Sequence, residues 1–388
     1  MKVEPATESM NAHFLNAFPS ALRVVAMGGG TGLSTLLRGL KHRVPHPTGL
    51  AERYLLPHVQ FISDLTAIVA VTDDGGSSGR LRRDFRMLPP GDLRSCMVAL
   101  AEDEHLFSQL FRHRFRAEGE LGGHSFGNLF IAALTEMTGD FAHAIKLASE
   151  VLAIRGHILP ATSANAVLVA RMEDGSFVSG ETRISASRQR IVEVMLEPAV
   201  MPALPETLQA IASADLVTLG PGSLYTSLIT NLLVDGIAEA LATTRATRVY
   251  IANLMTEANE SLGLSVAEHI ERIYEHAGRP IFDYALVNTG PVSAIVRERY
   301  AAEGAEPTKA DIERIEAMGI RCITGDFVAE GDLLRHAPDR VTDALLSLPR
   351  APLPRGTSRT LQILEQIPEV NSPCCPPDGI AAILHSHP

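Results

Sequence analysis

Lysine is scarce in this sequence, four of 34 basic residues, and 45 acidic residues leave a formal net charge of −11. Broad binding to nucleic acid or to an anionic membrane needs a dominant basic field, so both partner classes are excluded. The surplus of arginine over lysine is read as compositional and carries no functional weight. Cysteine is equally sparse. Cys96, Cys322, Cys374 and Cys375 show no CxxC spacing and no histidines at zinc-finger distances, which excludes a disulfide framework and a structural zinc site. No apolar run reaches the roughly 18–20 residues of a membrane-spanning helix. The opening MKVEPATESMNAHF lacks the charged-then-apolar order of a signal peptide, so the expected location is the cytoplasm.

What is present is the composition of a globular chain, 46% hydrophobic and 20% charged with 30 Gly and 24 Pro, which excludes disorder, collagen and coiled coil. At 388 residues it exceeds the span that one core usually organises. Leu22–Met27 is a short apolar run that enters glycines and then a helical pattern, and Thr66–Thr72 repeats that order into Asp73-Asp74-Gly75-Gly76-Ser77-Ser78-Gly79. The aperiodic, proline-bearing stretch 41–65 reads as an insertion or long connection, and helices are expected at about 92–103, 105–116, 129–137 and 140–153.

Residues 157–198 change to short alternating runs with turn signals such as Glu173-Asp174-Gly175, which predicts antiparallel β structure. The strand-then-helix rhythm returns at Asp215–Leu219, Arg248–Ala252 and Tyr284–Val287. Strands alternating with helices argue for a parallel, doubly wound α/β sheet. The expected organisation is a lead over 1–21, a core in two parts over 22–156 and 199–349, a small β-rich insertion over 157–198, and a proline-rich tail over 350–388. Cys374-Cys375 falls in that tail and is given no redox or metal role.

Two turns carry the chemistry. Gly28-Gly29-Gly30-Thr31-Gly32 follows a strand and opens a helix, where glycines let the backbone approach a phosphate and the helix N-terminus offers free N–H groups. It is neither the GxGxxG dinucleotide fingerprint, since position 35 is Thr, nor a P-loop, since no Lys follows. Gly220-Pro221-Gly222-Ser223 repeats this logic after a later strand. In a parallel sheet both turns share one edge, which suggests a diphosphate ligand. Asp73 and Asp74 end a strand and are suited to hold a divalent cation, bind a ribose hydroxyl, act as a base or cap an Asx turn.

The adjacent GxSxG pattern is rejected as a nucleophile elbow, because no oxyanion element or triad partner accompanies it. Asp92 reads as a helix N-cap with Arg94 able to reach an anion. His124 and Asn128 flank a loop before a buried helix, and His269 and His276 read as surface or packing residues.

Taken together, GGGTGLSTLLRGLK, TAIVAVTDDGGSSGRLRRDF, LPPGDLR, GHSFGNLFIAALTEMTGDF, HILPAT and ADLVTLGPGSLYTSLITNLLV resemble the YvcK-like proteins, the gluconeogenesis factors of the phospholactate transferase superfamily. The resemblance runs from about Val24 to His336. It implies a Rossmann-like three-layer α/β fold that binds a UDP-sugar such as UDP-N-acetylglucosamine. The role it implies is regulatory, balancing carbon flow between central metabolism and cell-wall precursors, with effects on cell shape, gluconeogenic growth and a regulated metabolic enzyme.

Carried over by position, the ligand-binding set is Gly29, Gly30, Thr31 and Gly32 of the first loop, Asp73 and Asp74, Asn128, and Gly222 and Ser223 of the second loop, with Tyr300 on the uracil face and Arg335 near the ligand. A homodimer is expected for such a fold, and no cofactor is required beyond magnesium accompanying the nucleotide. The superfamily's transferase branch moves a phospholactyl group from a guanylyl donor, which would place a metal on Asp73 and Asp74. DDGGSSGRLR and GPGSLYTS favour the regulatory branch instead. The chain departs from the family pattern at Thr256-Glu-Ala-Asn-Glu-Ser-Leu-Gly263, where a Thr-Gln-Pro-Gly-Glu-Thr loop is usual, and in its proline-rich tail.

Overall fold

The computed structural model describes residues 21–45, 61–102, 106–116, 118–187, 189–331 and 333–349. The predicted lead, apart from Ala21, and the tail from residue 350 with Cys374 and Cys375 lie outside these. The chain opens with β1 (Ala21–Gly28) and α1 (Gly30–Lys41), followed by β2 (Phe61–Val69), α2 (Gly76–Phe85), α3 (Gly91–Leu100), α4 (Leu106–Arg112), α5 (Phe126–Thr138), α6 (Phe141–Val151) and β3 (His157–Pro160). The insertion then contributes β4 (Val167–Met172), β5 (Phe177–Ser179), α7 (Glu181–Ala186) and β6 (Ile191–Glu197). The second half runs α8 (Pro205–Ser213), β7 (Leu216–Leu219), a π-helical turn at Leu224–Ile229, α9 (Thr230–Leu232), α10 (Ile237–Thr243), β8 (Thr247–Ile251), α11 (Val266–Ala277), β9 (Tyr284–Asn288), α12 (Ala294–Ala301), α13 (Ile312–Ala317), β10 (Arg321–Gly325), β11 (Val328–Ala329), β12 (Arg335–His336) and α14 (Pro338–Leu346).

Seven strands form one sheet in the order β10-β9-β8-β7-β1-β2-β3, and every neighbouring pair is parallel. Alternate side chains of β1 feed opposite layers. Val25 and Met27 join one apolar cluster with Leu228 and Ile270, while Val24 and Ala26 join another with Leu33, Leu37 and Leu93. A sheet buried on both faces needs such near-continuous apolar strands, as β1, β7 and β8 have. The predicted three-layer α/β fold is therefore present.

Three expectations are corrected. Residues 61–65 belong to β2 rather than to a connection: Phe61-Ile-Ser-Asp-Leu65 pairs with Ala21–Val24, although Ser63 and Asp64 break the apolar run. The antiparallel structure begins after β3, because His157–Pro160 pairs in parallel with Thr66–Val69 as the edge strand of the main sheet. The three antiparallel strands are β5-β4-β6, whose inner face (Leu168, Ala170, Val194, Leu196) merges with the core beneath. The helices placed at 92–103 and 105–116 are shorter, α3 ending at Leu100 and α4 at Arg112.

Strand order reverses between β1 and β7, since the chain runs outward from β1 through β2 to β3 on one side and from β7 to β10 on the other. At such a switch point the connections leave the sheet in opposite directions and open a crevice beyond the strand C-termini. The two glycine turns are the segments that leave β1 and β7 at this point.

Candidate functional site

Helix α1 begins one residue after Gly29 and leads with glycine and threonine, so its first-turn N–H groups face outward from the end of β1. The Gly30 N–H is taken. It donates to Asp92 Oδ2 at 2.6 Å, which leaves the N–H groups of Thr31 and Gly32 without helical partners. Opposite, Gly220 (φ +97°) precedes a cis peptide bond to Pro221, and Gly222 donates its N–H to Asn253 Oδ1 at 3.4 Å. The loops touch directly. A Cβ on Gly32 would sit 2.4 Å from the Pro221 carbonyl oxygen.

Between them lies a crevice of about 200 Å³ lined by Gly29–Gly32, Pro221–Ser223, Asn253–Glu257, Tyr300 and Arg335–His336, among others. A cavity of about 330 Å³ adjoins it, sharing Asn253 and Leu254 as a wall and running beneath Val292, Pro307 and Thr308. Tyr300 packs on the small apolar cluster of Leu254, Met255 and Val292, and its hydroxyl accepts the Leu334 N–H at 3.2 Å, which fixes the ring at the crevice edge.

The structure thus brings Gly29, Gly30, Thr31, Gly32, Gly222, Ser223, Tyr300 and Arg335 together. Asp73, Asp74 and Asn128 are outside this lining. Asp73 Oδ1 accepts the Gly75 N–H at 2.9 Å, an Asx turn, and its other oxygen faces Gly91. Asp74 turns toward the insertion, where Oδ1 accepts from Thr182 N and Oγ1 at 2.8 and 2.6 Å. The two carboxylates diverge, and among the described residues no group of three or more His, Cys, Asp or Glu side chains is arranged to hold a metal ion. Asn128 Nδ2 donates to Ser77 Oγ at 3.1 Å, and that hydroxyl pairs with His124 Nδ1 at 3.0 Å, a buried network joining α2 to α5.

Asp92 is not the N-cap it resembles. Pro90 holds that position and Asp92 lies inside α3, reaching across to the α1 N-terminus, where a carboxylate satisfies the exposed donor of another helix. His269 and His276 are packing residues rather than surface ones: His269 Nδ1 bonds the Tyr250 hydroxyl at 3.0 Å, and His276 Nε2 accepts the Val194 N–H at 3.1 Å. Sequence reasoning assigned no role to Asn253, Glu257 and Glu260. Their signal was the loop that leaves β8, with Asn253 two residues past the strand and Glu257 and Glu260 in the polar stretch from Thr256 to Ser261, at the same sheet edge as the two glycine turns.

Burial, then the neighbouring Asp73 charge, pushes the Asp92 carboxyl up to about 6, against the pull of the Gly30 N–H and Arg94. Its unfolded value lies near 4. A folded value above the unfolded one means stability is fully present below pH ~4 and declines as pH rises to ~6, by about 2–3 kcal/mol. Asp92→Asn keeps an acceptor for Gly30 and is expected to remove this slope, read as the difference between variant and wild-type urea midpoints over pH 4–7. Parallel pH profiles for the two proteins would refute the burial argument.

A model of the family described as 2-phospho-L-lactate transferase CofD matches residues 24–328. The chain belongs to the CofD family. Within that family it is 44% identical over 327 residues to the gluconeogenesis factor of Bacillus subtilis, covering 84% of this chain and 98% of that one. It is 46% identical over 295 residues to a putative gluconeogenesis factor of Thermotoga maritima, covering 76% and 88%. A crystal structure of a Bacillus halodurans protein superposes with a TM-score of 0.78 at 45% identity, covering 84% of this chain and all of that one. The resemblance read from the motifs is borne out, and the CofD-family match spans both glycine turns and every strand from β2 to β10. Among the described residues no helix is long and apolar enough to cross a membrane.

Proposed function

We propose that this CofD-family chain is a nucleotide-sugar-binding regulatory protein that takes a ligand of the UDP-N-acetylglucosamine type. The observation that carries this reading is the pair of glycine turns in contact at the switch point of the sheet, with Tyr300 and Arg335 on the rim of the crevice they enclose. Free first-turn N–H groups suit phosphate oxygens, an aromatic ring suits a base, and a guanidinium suits the diphosphate charge. The crevice by itself is smaller than the ~300–1,000 Å³ typical of ligand pockets, and with the adjoining cavity it falls within that range.

That its relatives are gluconeogenesis factors supports a role in gluconeogenesis. In this reading the protein acts in the cytoplasm as a homodimer and links gluconeogenic carbon flow to cell-wall precursor supply and cell shape. The ligand acts by shifting the equilibrium with a regulated metabolic enzyme through its differential affinity for the two states.

Calorimetric titration with UDP-N-acetylglucosamine, UDP-glucose, UMP and GDP, with and without magnesium, tests the proposal. Tyr300→Ala and Arg335→Ala are each expected to weaken UDP-sugar binding by about tenfold or more, roughly 1.4 kcal/mol. The family model keeps a phospholactate-type transferase as the second reading. Magnesium-dependent preference for GDP, with no heat from UDP-sugars, would make that second reading the correct one.

A further inference from the structure

A crevice that binds an anion is at odds with a carboxyl group in its wall, and Glu257 is such a group. It follows β8 in the loop to α11. The Ser223 side chain hydrogen-bonds it from the second glycine turn, and Asn253 Nδ2 lies 3.5 Å from its Oε1. Both neighbours are neutral. The ionisable groups around it are Glu260 on the same loop, the Tyr250 phenol below it on β8, and Tyr300, Arg335 and His336 across the crevice. Asp92 stands behind Gly29 and Gly30, and Glu181 beyond Glu260. Burial holds His336 neutral near pH 7, having pushed it down to about 4, so Arg335 is the one cation of this set.

Glu260 is committed to being an acceptor. Its carboxylate takes hydrogen bonds from Tyr225 N at 3.1 Å, Thr226 N at 3.3 Å and Thr226 Oγ1 at 2.8 Å, where the π-helical turn begins. A proton that relieves the repulsion within the pair therefore goes to Glu257. Burial first, and then the Glu260 charge, push Glu257 up to about 7, in keeping with this order.

We propose that the crevice binds a nucleotide diphosphate together with one proton, which is carried on the Glu257 carboxyl and donated as a hydrogen bond to a ligand oxygen. This rests on the nucleotide-sugar reading above. The proton is taken from solvent on binding and returned on release, so no other bond is made or broken. A diphosphate esterified at both ends does not titrate near neutrality, which leaves the protein as the source of any pH dependence there.

The test is calorimetry of the full chain with UDP-N-acetylglucosamine from pH 6 to 8.5, in buffers of small and large ionisation enthalpy. Wild type is expected to take up close to one proton per ligand at pH 8 and to lose about tenfold in affinity per pH unit above that. Glu257→Gln supplies a permanent donor and is expected to bind with no proton uptake and a flat pH profile. Asp92→Asn is expected to keep the uptake. Undiminished uptake in Glu257→Gln, or its loss in Asp92→Asn alone, would overturn the assignment. So would magnesium abolishing the uptake in wild type while restoring affinity at high pH, since a cation would then be the neutralising charge. Binding with no uptake in any of the three proteins overturns this inference and leaves the nucleotide-sugar reading standing, whereas absence of binding at every pH overturns both.

Discussion

Arg248→Ala is expected to lower the unfolding free energy by about 3–5 kcal/mol, the cost of stranding a buried charge. Arg248 and Asp283 are 7% and 9% exposed, and the Asp283 carboxylate accepts from Arg248 N and Nε, each at 2.9 Å, and from Nη2. The pair sits where β8 and β9 begin. There the Asp283 N–H donates to the Arg248 carbonyl and its own carbonyl accepts from Arg321, so one residue ties three strands in register. Removing the guanidinium leaves Asp283 enclosed without its counter-charge. Arg248→Met with Asp283→Asn retains an acceptor for the Arg248 N–H and removes the orphaned charge, so the double variant is expected to recover at least half of the loss in urea denaturation. A double variant no better than Arg248→Ala would mean that packing, not charge, sets the cost.

The same motif at the start of β1 gives an internal control. Arg23 contacts Asp215 through N, Nε and Nη2 at 2.9–3.1 Å, with nearly the same geometry, but the two side chains are 49% and 38% exposed. Water screens that pair, so Arg23→Ala is expected to cost no more than about 1 kcal/mol. Both clamps lie at the strand N-termini, the edge opposite the crevice. Variants that remain folded should therefore bind ligand as wild type does.

The parts of the fold legible in the sequence were those where local pattern and burial agree. β1, β7, β8 and β9 are apolar runs because helices cover both faces of the sheet, and each was placed to within a residue or two. The start of β2 was missed because its first turns lie at a partly exposed edge, where Ser63 and Asp64 are tolerated. β10, whose residues are mostly exposed or half-buried, gave no apolar run to read. The two glycine turns were legible as loops, and their meeting was inferred from the shared edge of a parallel sheet. What no local pattern encodes is direction. Asp92 satisfies the signature of a cap yet points at another helix, and Asp73 and Asp74, adjacent in sequence beyond the end of β2, point at different partners, one at its own turn and one at the insertion.

Gly32→Ala is expected to weaken UDP-sugar binding by a hundredfold or more, about 2.7 kcal/mol, while Gly28→Ala, four residues earlier, changes it by less than threefold. The added methyl at Gly32 would lie 2.4 Å from the Pro221 carbonyl oxygen and 2.7 Å from its carbon. Both are backbone atoms of the facing loop, so relief requires the two turns to separate rather than a side chain to rotate. A separation near 1 Å in a site that holds one diphosphate between opposed backbones removes the donors of one loop from hydrogen-bonding range. At Gly28 the same methyl would meet Leu33 Cβ at 3.5 Å, Leu228 Cδ2 at 3.6 Å and the Pro221 oxygen at 3.7 Å, which are ordinary contacts. Small-to-large strain of this kind costs about 1–3 kcal/mol of stability. Circular dichroism melting must therefore accompany the titrations, with binding compared at a temperature where both variants are folded. Equal affinities for the two variants would show that the turns move independently, and that contact between the loops is not what shapes the crevice.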